Sequence, residues 1–187
     1  MPVTVAGDEP RVLIVDDEER VADTYHLRLR GAYDTTVAHG GEEALEVIDE
    51  TYDVVLLDRR MPRMSGDEVL EEIRSRGLDC RVVMLTAIDP NFEIAEMDVD
   101  DYVVKPVDME QLRSVVERAL TISEYNDQRQ RLSSLKLKRN VLEVEMDEHE
   151  LVDSPKYQQL VGEIEALETE IEETEDALDL DQVDLYL

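Results

Sequence analysis

Cysteine is all but missing: Cys80 is the only one in 187 residues. That excludes a disulfide framework and a thiolate metal site, and leaves one thiol expected to be inert and partly buried. Long apolar runs are missing as well. No stretch approaches the roughly 18 residues of a membrane-spanning helix, and residues 1–10 are short, polar and without an apolar core. The chain therefore reads as soluble and cytoplasmic, with no membrane insertion. Basic residues are scarce, with 19 Lys and Arg against 48 Asp and Glu, a formal charge of -29, and Lys105, Lys136, Lys138 and Lys156 as the only lysines. An excess of that sign argues against a broad nucleic-acid or anionic-membrane surface. His26, His39 and His149 are scattered and suggest neither a metal site nor a phosphohistidine.

What is present begins with the acids themselves. Acid-rich, lysine-poor composition resembles that of proteins from salt-loving microbes. At molar salt the Debye length falls to about 3 Å, so surface carboxylates barely repel one another. The length allows one full domain plus a smaller appendage.

The most informative stretch is 54–66, VVLLDRRMPRMSG. Its apolar run, Val54 to Leu57, has the form of a strand covered on both faces in a parallel sheet. Asp58 then stands at the C-terminal end of that strand, where open α/β sheets bind ligands. Met61, Pro62, Ser65 and Gly66 supply turn chemistry, and Asp67 is expected to cap the next helix. On this stretch alone, Asp58 could equally do no more than cap a loop.

The rest of the chain repeats the pattern. Residues 11–15 form a first strand, followed at once by Asp16 and Asp17. A helix to about Arg30, with Val21, Tyr25 and Leu29 inward, should end at Gly31. A short strand follows at 35–38, then a helix carrying Ala44, Leu45 and Ile48. After the Asp67 helix, with Val69, Leu70 and Ile73 facing in and Gly77 as its stop, the strand 81–85 delivers Thr86. A weaker helix spans 90–97. The strand 101–104 delivers Lys105 and Pro106, and a helix from Asp108 through Leu120 completes five strand and helix pairs. Such alternation predicts an α/β fold with a doubly wound, five-stranded parallel sheet.

Asp16, Asp17, Asp58, Thr86 and Lys105 all fall at C-terminal strand ends. Three carboxylates brought within a few ångströms would raise one another's pKa unless a cation were present. Mg²⁺ suits such a set, since it takes oxygen ligands and binds through one or two carboxylates plus phosphate oxygens. A carboxylate beside it can be a nucleophile toward a phosphoryl group, with Lys105 and Thr86 meeting the transferred charge.

Asp16-Asp17, the LDRRMPRMSG around Asp58, the MLTA that holds Thr86 and Ala87, and the DDYVVKP that holds Tyr102, Lys105 and Pro106 together resemble the receiver domain of two-component response regulators. The resemblance covers about 11–120 and implies a flavodoxin-like sheet whose Asp58 is phosphorylated by a sensor histidine kinase. It implies that Asp17 and Asp58 hold Mg²⁺ directly and Asp16 through water, with the Arg60 backbone carbonyl as a further ligand. Thr86 and Lys105 would contact the phosphoryl group, Tyr102 would be an aromatic switch, and the Lys105–Pro106 bond would be cis. Such a protein is a phosphoacceptor that assists its own phosphoryl transfer and dephosphorylation, not an enzyme acting on other substrates. Arg59 and Arg60, and Asp98 where the family often has glycine, depart from the pattern.

The expected organisation is a flexible tail at 1–10, a receiver at 11–121 and a helical domain at 122–187. No glycine or proline occurs between Val107 and Ser154, so the last receiver helix either runs on or restarts near Ser123. Ser154 and Pro155 read as N-cap and first position of a final helix, giving a helical hairpin. That helix carries a coiled-coil-like seam of Leu160, Ile164, Leu167, Ile171 and Leu178. The preceding helix has two apolar faces, Leu132, Leu135, Leu142 and Met146 on one, Leu137, Val141 and Val144 on the other. Arg129, Arg131, Lys136 and Lys138 flank the first, which should pack on the final helix beside Glu165 to Glu175. The second face is left for another subunit, predicting a homodimer, or for the receiver, or is simply partly exposed. This region resembles the HalX domain found after receivers in haloarchaeal regulators. Two other functions stay open: a DNA-binding transcription regulator, and an aspartate-nucleophile phosphatase, for which Arg60 stands where a second acid is usual.

Overall fold

The computed structural model describes residues 9–87 and 97–184, with side chains through 178. The expected tail at 1–10 and the expected helix at 90–97 therefore lie largely outside the described residues. The chain divides into two compact units, 1–120 and 121–187.

In the first unit the strands are β1 (Arg11–Val15), β2 (Asp34–Ala38), β3 (Val54–Asp58), β4 (Arg81–Thr86) and β5 (Asp101–Val104). Their order is β2-β1-β3-β4-β5 and every pairing is parallel. The helices are α1 (Glu19–Leu29), α2 (Gly41–Val47), α3 (Gly66–Ser75) and the beginning of α4 (Met109–Glu145). Strand order reverses between β1 and β3, so their carboxyl ends flank the crevice where such sheets bind ligands.

Side chains alternate across the sheet with period two. Val12, Ile14, Val54, Leu56, Val83 and Leu85 pack with α1 and the start of α4, whose Leu112 and Val116 are fully buried. Leu13, Val15, Val55, Leu57, Val82 and Met84 pack with α2 and α3 on the other face. All five residues of β3 are buried, as its apolar run predicts.

Several local expectations need correction. Ser65, not Asp67, caps α3: its hydroxyl accepts from the Glu68 amide while Glu68 reaches back to the Ser65 amide, a capping box. Asp67 instead holds Arg59. Gly31 does not end α1 in a left-handed conformation; Gly77 does so for α3, with φ of 70°. Asp98 and Asp100 are explained by arginines. Asp100 accepts from Arg74 at 2.8 Å, Arg81 at 2.9 Å and the Val82 amide at 2.7 Å, and Arg74 also reaches the Asp98 carbonyl. This mesh fixes the approach to β5.

In the second unit α4 is unbroken to Glu145, a short α5 (Glu148–Val152) follows, and α6 (Pro155–Asp184) returns. The Ser154 hydroxyl accepts from the Tyr157 amide, the capping role read from the sequence. Leu135, Ile164, Leu167 and Ile171 form the core, with Tyr125, Leu132 and Leu160 packed around it. Arg131 meets Glu163, Lys136 meets Glu168 at 2.6 Å and Arg129 meets Glu175 at 3.2 Å, so the basic flank does face the acidic helix. Met146 departs from the predicted inner face and is exposed, because α4 ends just before it. Buried Leu151 closes that end instead.

Candidate functional site

Each strand adjoining the crevice ends on a polar group. Asp16 follows β1, Asp58 is the last residue of β3, Thr86 the last of β4, and Lys105 follows β5. Asp16, Asp58 and Thr86 are the buried polar residues of the described structure, at 3%, 8% and 1% exposure.

Backbone amides aim the two acids. Asp16 Oδ1 accepts from the Glu18 amide at 2.9 Å, and Asp58 Oδ2 accepts from the Arg60 amide at 2.8 Å. That leaves one free oxygen on each, and both converge on Lys105: its Nζ donates to Asp16 Oδ2 at 2.6 Å and to Asp58 Oδ1 at 2.5 Å. Lys105 is placed by its own amide, which donates to the Thr86 carbonyl at 2.7 Å. The Lys105–Pro106 peptide is cis. Tyr102 is half-buried against the α2–α3 side of the sheet, Asp17 is half-buried, and the Arg60 side chain is exposed.

The turn after Asp58 is tight. A Cβ on Gly66 would lie 2.3 Å from the Asp58 carbonyl oxygen and 2.8 Å from Arg59 Cα, both backbone atoms. The Gly66 amide donates to the Arg59 carbonyl at 2.8 Å, and Arg59 is anchored to Asp67 through Nε and Nη2. These contacts fix the loop that carries the Arg60 amide. Sequence reading assigned neither the glycine's packing role nor the Arg59–Asp67 pair; the only signal was a basic residue beside a helix-opening acid.

Electrostatics separate the two partners. Burial pushes the Asp58 carboxyl above its usual range, and the ammonium of Lys105 offsets this only in part. Burial opposes charge on Lys105 too, yet the hydrogen bonds it donates to Asp16 and Asp58 prevail and raise its pKa. Sharing contributes to the difference: the ammonium gains from two carboxylates, whereas Asp58, whose burial is the largest influence, gains from one ammonium and is also repelled by Asp16.

The expected trio of Asp16, Asp17 and Asp58 is not gathered as such. Among the described residues no three His, Cys, Asp or Glu side chains are grouped to hold a metal ion. The Lys105 ammonium draws Asp16 and Asp58 together, and Asp17 stands outside that pair. The donor chemistry still fits Mg²⁺. Two hard carboxylate oxygens meet one cation, and Mg²⁺ commonly takes one or two carboxylates and fills its shell with water and phosphate.

A buried acid at the switch point of a doubly wound sheet, bonded to a lysine from β5, is the architecture of a phosphoacceptor receiver. The response regulator receiver domain matches residues 12–117 and the HalX domain matches 121–185. The chain belongs to the response regulator receiver family, followed by a HalX domain. The transcriptional regulatory protein YkoG of Bacillus subtilis is 33% identical over 160 residues, covering 76% of this chain and 70% of that one. The regulatory protein AtoC of Escherichia coli is 37% identical over 118 residues, 60% of this chain and 25% of its own length. A regulator from Haloferax volcanii is 54% identical over 116 residues, 62% of this chain; this chain spans only 20% of that protein. Among solved structures, a CheY-like receiver domain protein from Methanospirillum hungatei has 26% identity and a TM-score of 0.57, covering 62% of this chain and 96% of its own. TrrA of Thermotoga maritima, in complex with Mg²⁺-BeF, has 34% identity and a TM-score of 0.53, covering 59% and 99%.

Proposed function

We propose that Asp58 accepts a phosphoryl group from a sensor histidine kinase, and that the helical unit carries the resulting signal through self-association. The observation that carries this reading is the Lys105 ammonium, 2.5 Å from the buried Asp58 carboxylate at the end of β3. In the transfer an Asp58 oxygen bonds to phosphorus, the phosphorus–nitrogen bond of the kinase phosphohistidine breaks, and its electron pair returns to the imidazole. The Arg60 amide orients Asp58 throughout. Lys105 exchanges its bond to Asp58 for one to the phosphoryl oxygens while Asp16 retains its other side. Thr86, at the end of β4, faces the same charge.

Asp16, Asp17 and Asp58, with the Arg60 carbonyl, would hold Mg²⁺, which supplies neutralisation of the phosphoryl oxygens when bound. Added charge at Asp58 draws on Thr86 and Tyr102 as the switch. On this reading the receiver spans 11–121 and the output domain 122–187, both cytoplasmic. No helix of the described residues is long and apolar enough to cross a membrane. DNA binding through the tail's basic cluster is disfavoured because Arg129, Arg131 and Lys136 already meet Glu175, Glu163 and Glu168. A phosphatase acting on small molecules is disfavoured because Arg60, rather than an acid, follows two residues after Asp58.

The test is intact mass and light-scattering mass in high salt with Mg²⁺ and a small phosphoryl donor, on wild type and Asp58→Asn. The expected result is one added phosphoryl group and a donor-dependent change in assembly, both lost in the variant. Phosphorylation of Asp58→Asn to the wild-type level would overturn the assignment.

A further inference from the structure

Two turns of α4 carry apolar side chains that the second unit leaves uncovered. Leu137, Val141 and Val144 are 65%, 54% and 81% exposed, on a chain whose formal charge is -29. Ser133, Ser134 and Asn140 adjoin them, and one charge of each sign, Lys138 and Glu145, stands beside the strip, while the chain as a whole is strongly acidic. Two copies of so acidic a protein repel least where they meet through such a strip.

Charge fixes the direction of that meeting. At about 100° per residue, Lys138 and Glu145 fall on the same flank of the strip, two turns apart, and the other flank carries Ser133 and Asn140. The remaining bases of α4 beyond Thr121 are engaged: Arg129, Arg131 and Lys136 with α6, and Arg139 with Glu143. Among the described residues no ion pair falls to Lys138 or Glu145. Lys138 lines an open groove of about 520 Å³ between α4 and α6, beside Ser134 and Leu135.

Like flanks face each other when two helices pair antiparallel, and opposite flanks face each other when they pair parallel. Antiparallel pairing sets Lys138 of each copy beside Glu145 of the other and places Val141 near the two-fold axis. Parallel pairing would set both charges against Ser133 and Asn140. We infer that the chain dimerises through an antiparallel, isologous pairing of the 137–145 segment of α4, with the occupant of the exposed strip being a second copy of the same strip. This rests on the self-association reading above and adds its surface and direction.

The test uses the full chain in high salt, with Cys80→Ala as background. Under mild oxidation, Val141→Cys should give covalent dimers in high yield because its thiols meet across the axis. Gln130→Cys, on the same face but about three turns away, should give almost none. Leu137→Glu should raise the dimer dissociation constant at least about tenfold with helix content unchanged, since Leu137 is 65% exposed among the described residues. Equal cross-linking at 130 and 141 would overturn the antiparallel pairing. A wild-type dimer in which neither cysteine cross-links would overturn the surface but leave self-association standing. A wild-type monomer with and without phosphoryl donor would overturn self-association itself.

Discussion

Replacing Lys105 by methionine tests the electrostatics of the site most directly. Asp16, Asp58 and Lys105 side chains are 4%, 10% and 16% exposed, so solvent does little to replace the lost cation. Removing one partner of a buried ion pair costs about 3 to 5 kcal/mol, and here two carboxylates lose their partner at once. For a chain of this length, each kcal/mol is worth roughly 2 to 4 °C of Tm, so a drop on the order of 10 °C is expected. Linkage gives the pH signature. The folded Asp58 already holds its proton more tightly than the unfolded chain does, so the cost of its ionised form is relieved as pH falls. Without Lys105 that preference grows, and the variant should regain stability on acidification more than wild type. In wild type the raised Lys105 pKa gives stabilisation that is complete below the ordinary lysine value of 10.5 and is lost only as pH rises through the higher folded value. Thermal melts from mildly acid pH to beyond pH 10.5, in both the wild-type and Asp16→Asn backgrounds, read both signatures. Mg²⁺ should stabilise Lys105→Met more than wild type, because it replaces the missing cation. A loss below about 1 kcal/mol, or an equal loss in the Asp16→Asn background, would refute the shared-ammonium account.

Two other outcomes follow from packing and composition. Gly66→Ala should destabilise the receiver by about 1 to 3 kcal/mol, because its Cβ meets backbone that cannot swing aside, and should slow phosphorylation by displacing Asp58; unchanged melting and labelling would contradict it. The whole chain should lose structure in dilute buffer as its carboxylates become unscreened, read by circular dichroism along a KCl series. A Tm equal at low and multimolar KCl would count against that.

What could be read from the sequence divides along physical lines. The three central strands were legible because burial on both faces demands near-continuous apolar runs, and Val54 to Asp58 shows that demand at its plainest; the edge strands β2 and β5 are only partly buried and were read from the strand–helix alternation around them. The hairpin was legible for a related reason: helical periodicity fixes which residues share a face, and the facing charges leave one sensible arrangement, seen in the Lys136–Glu168 pair. Caps were less secure. Ser65 and Asp67 are both good N-cap residues, and only the reciprocal bond from Glu68 together with the pull of Arg59 on Asp67 decides between them. At the site's centre the members were legible as strand-end residues, but the bonding among them was not. Acids at 16, 17 and 58 call for positive charge, and a divalent ion or an ammonium answers that call equally well until distances are known. Lys105 is 89 residues from Asp16 and 47 from Asp58, and only the parallel order of β1, β3, β4 and β5 brings it to both. The consequence is mechanistic. The ammonium satisfies one oxygen of each acid and backbone amides the other, so on the proposed function a phosphoryl group arriving at Asp58 Oδ1 would compete with Lys105 for that oxygen, and the bond that stabilises the resting site would be the one exchanged in the transfer.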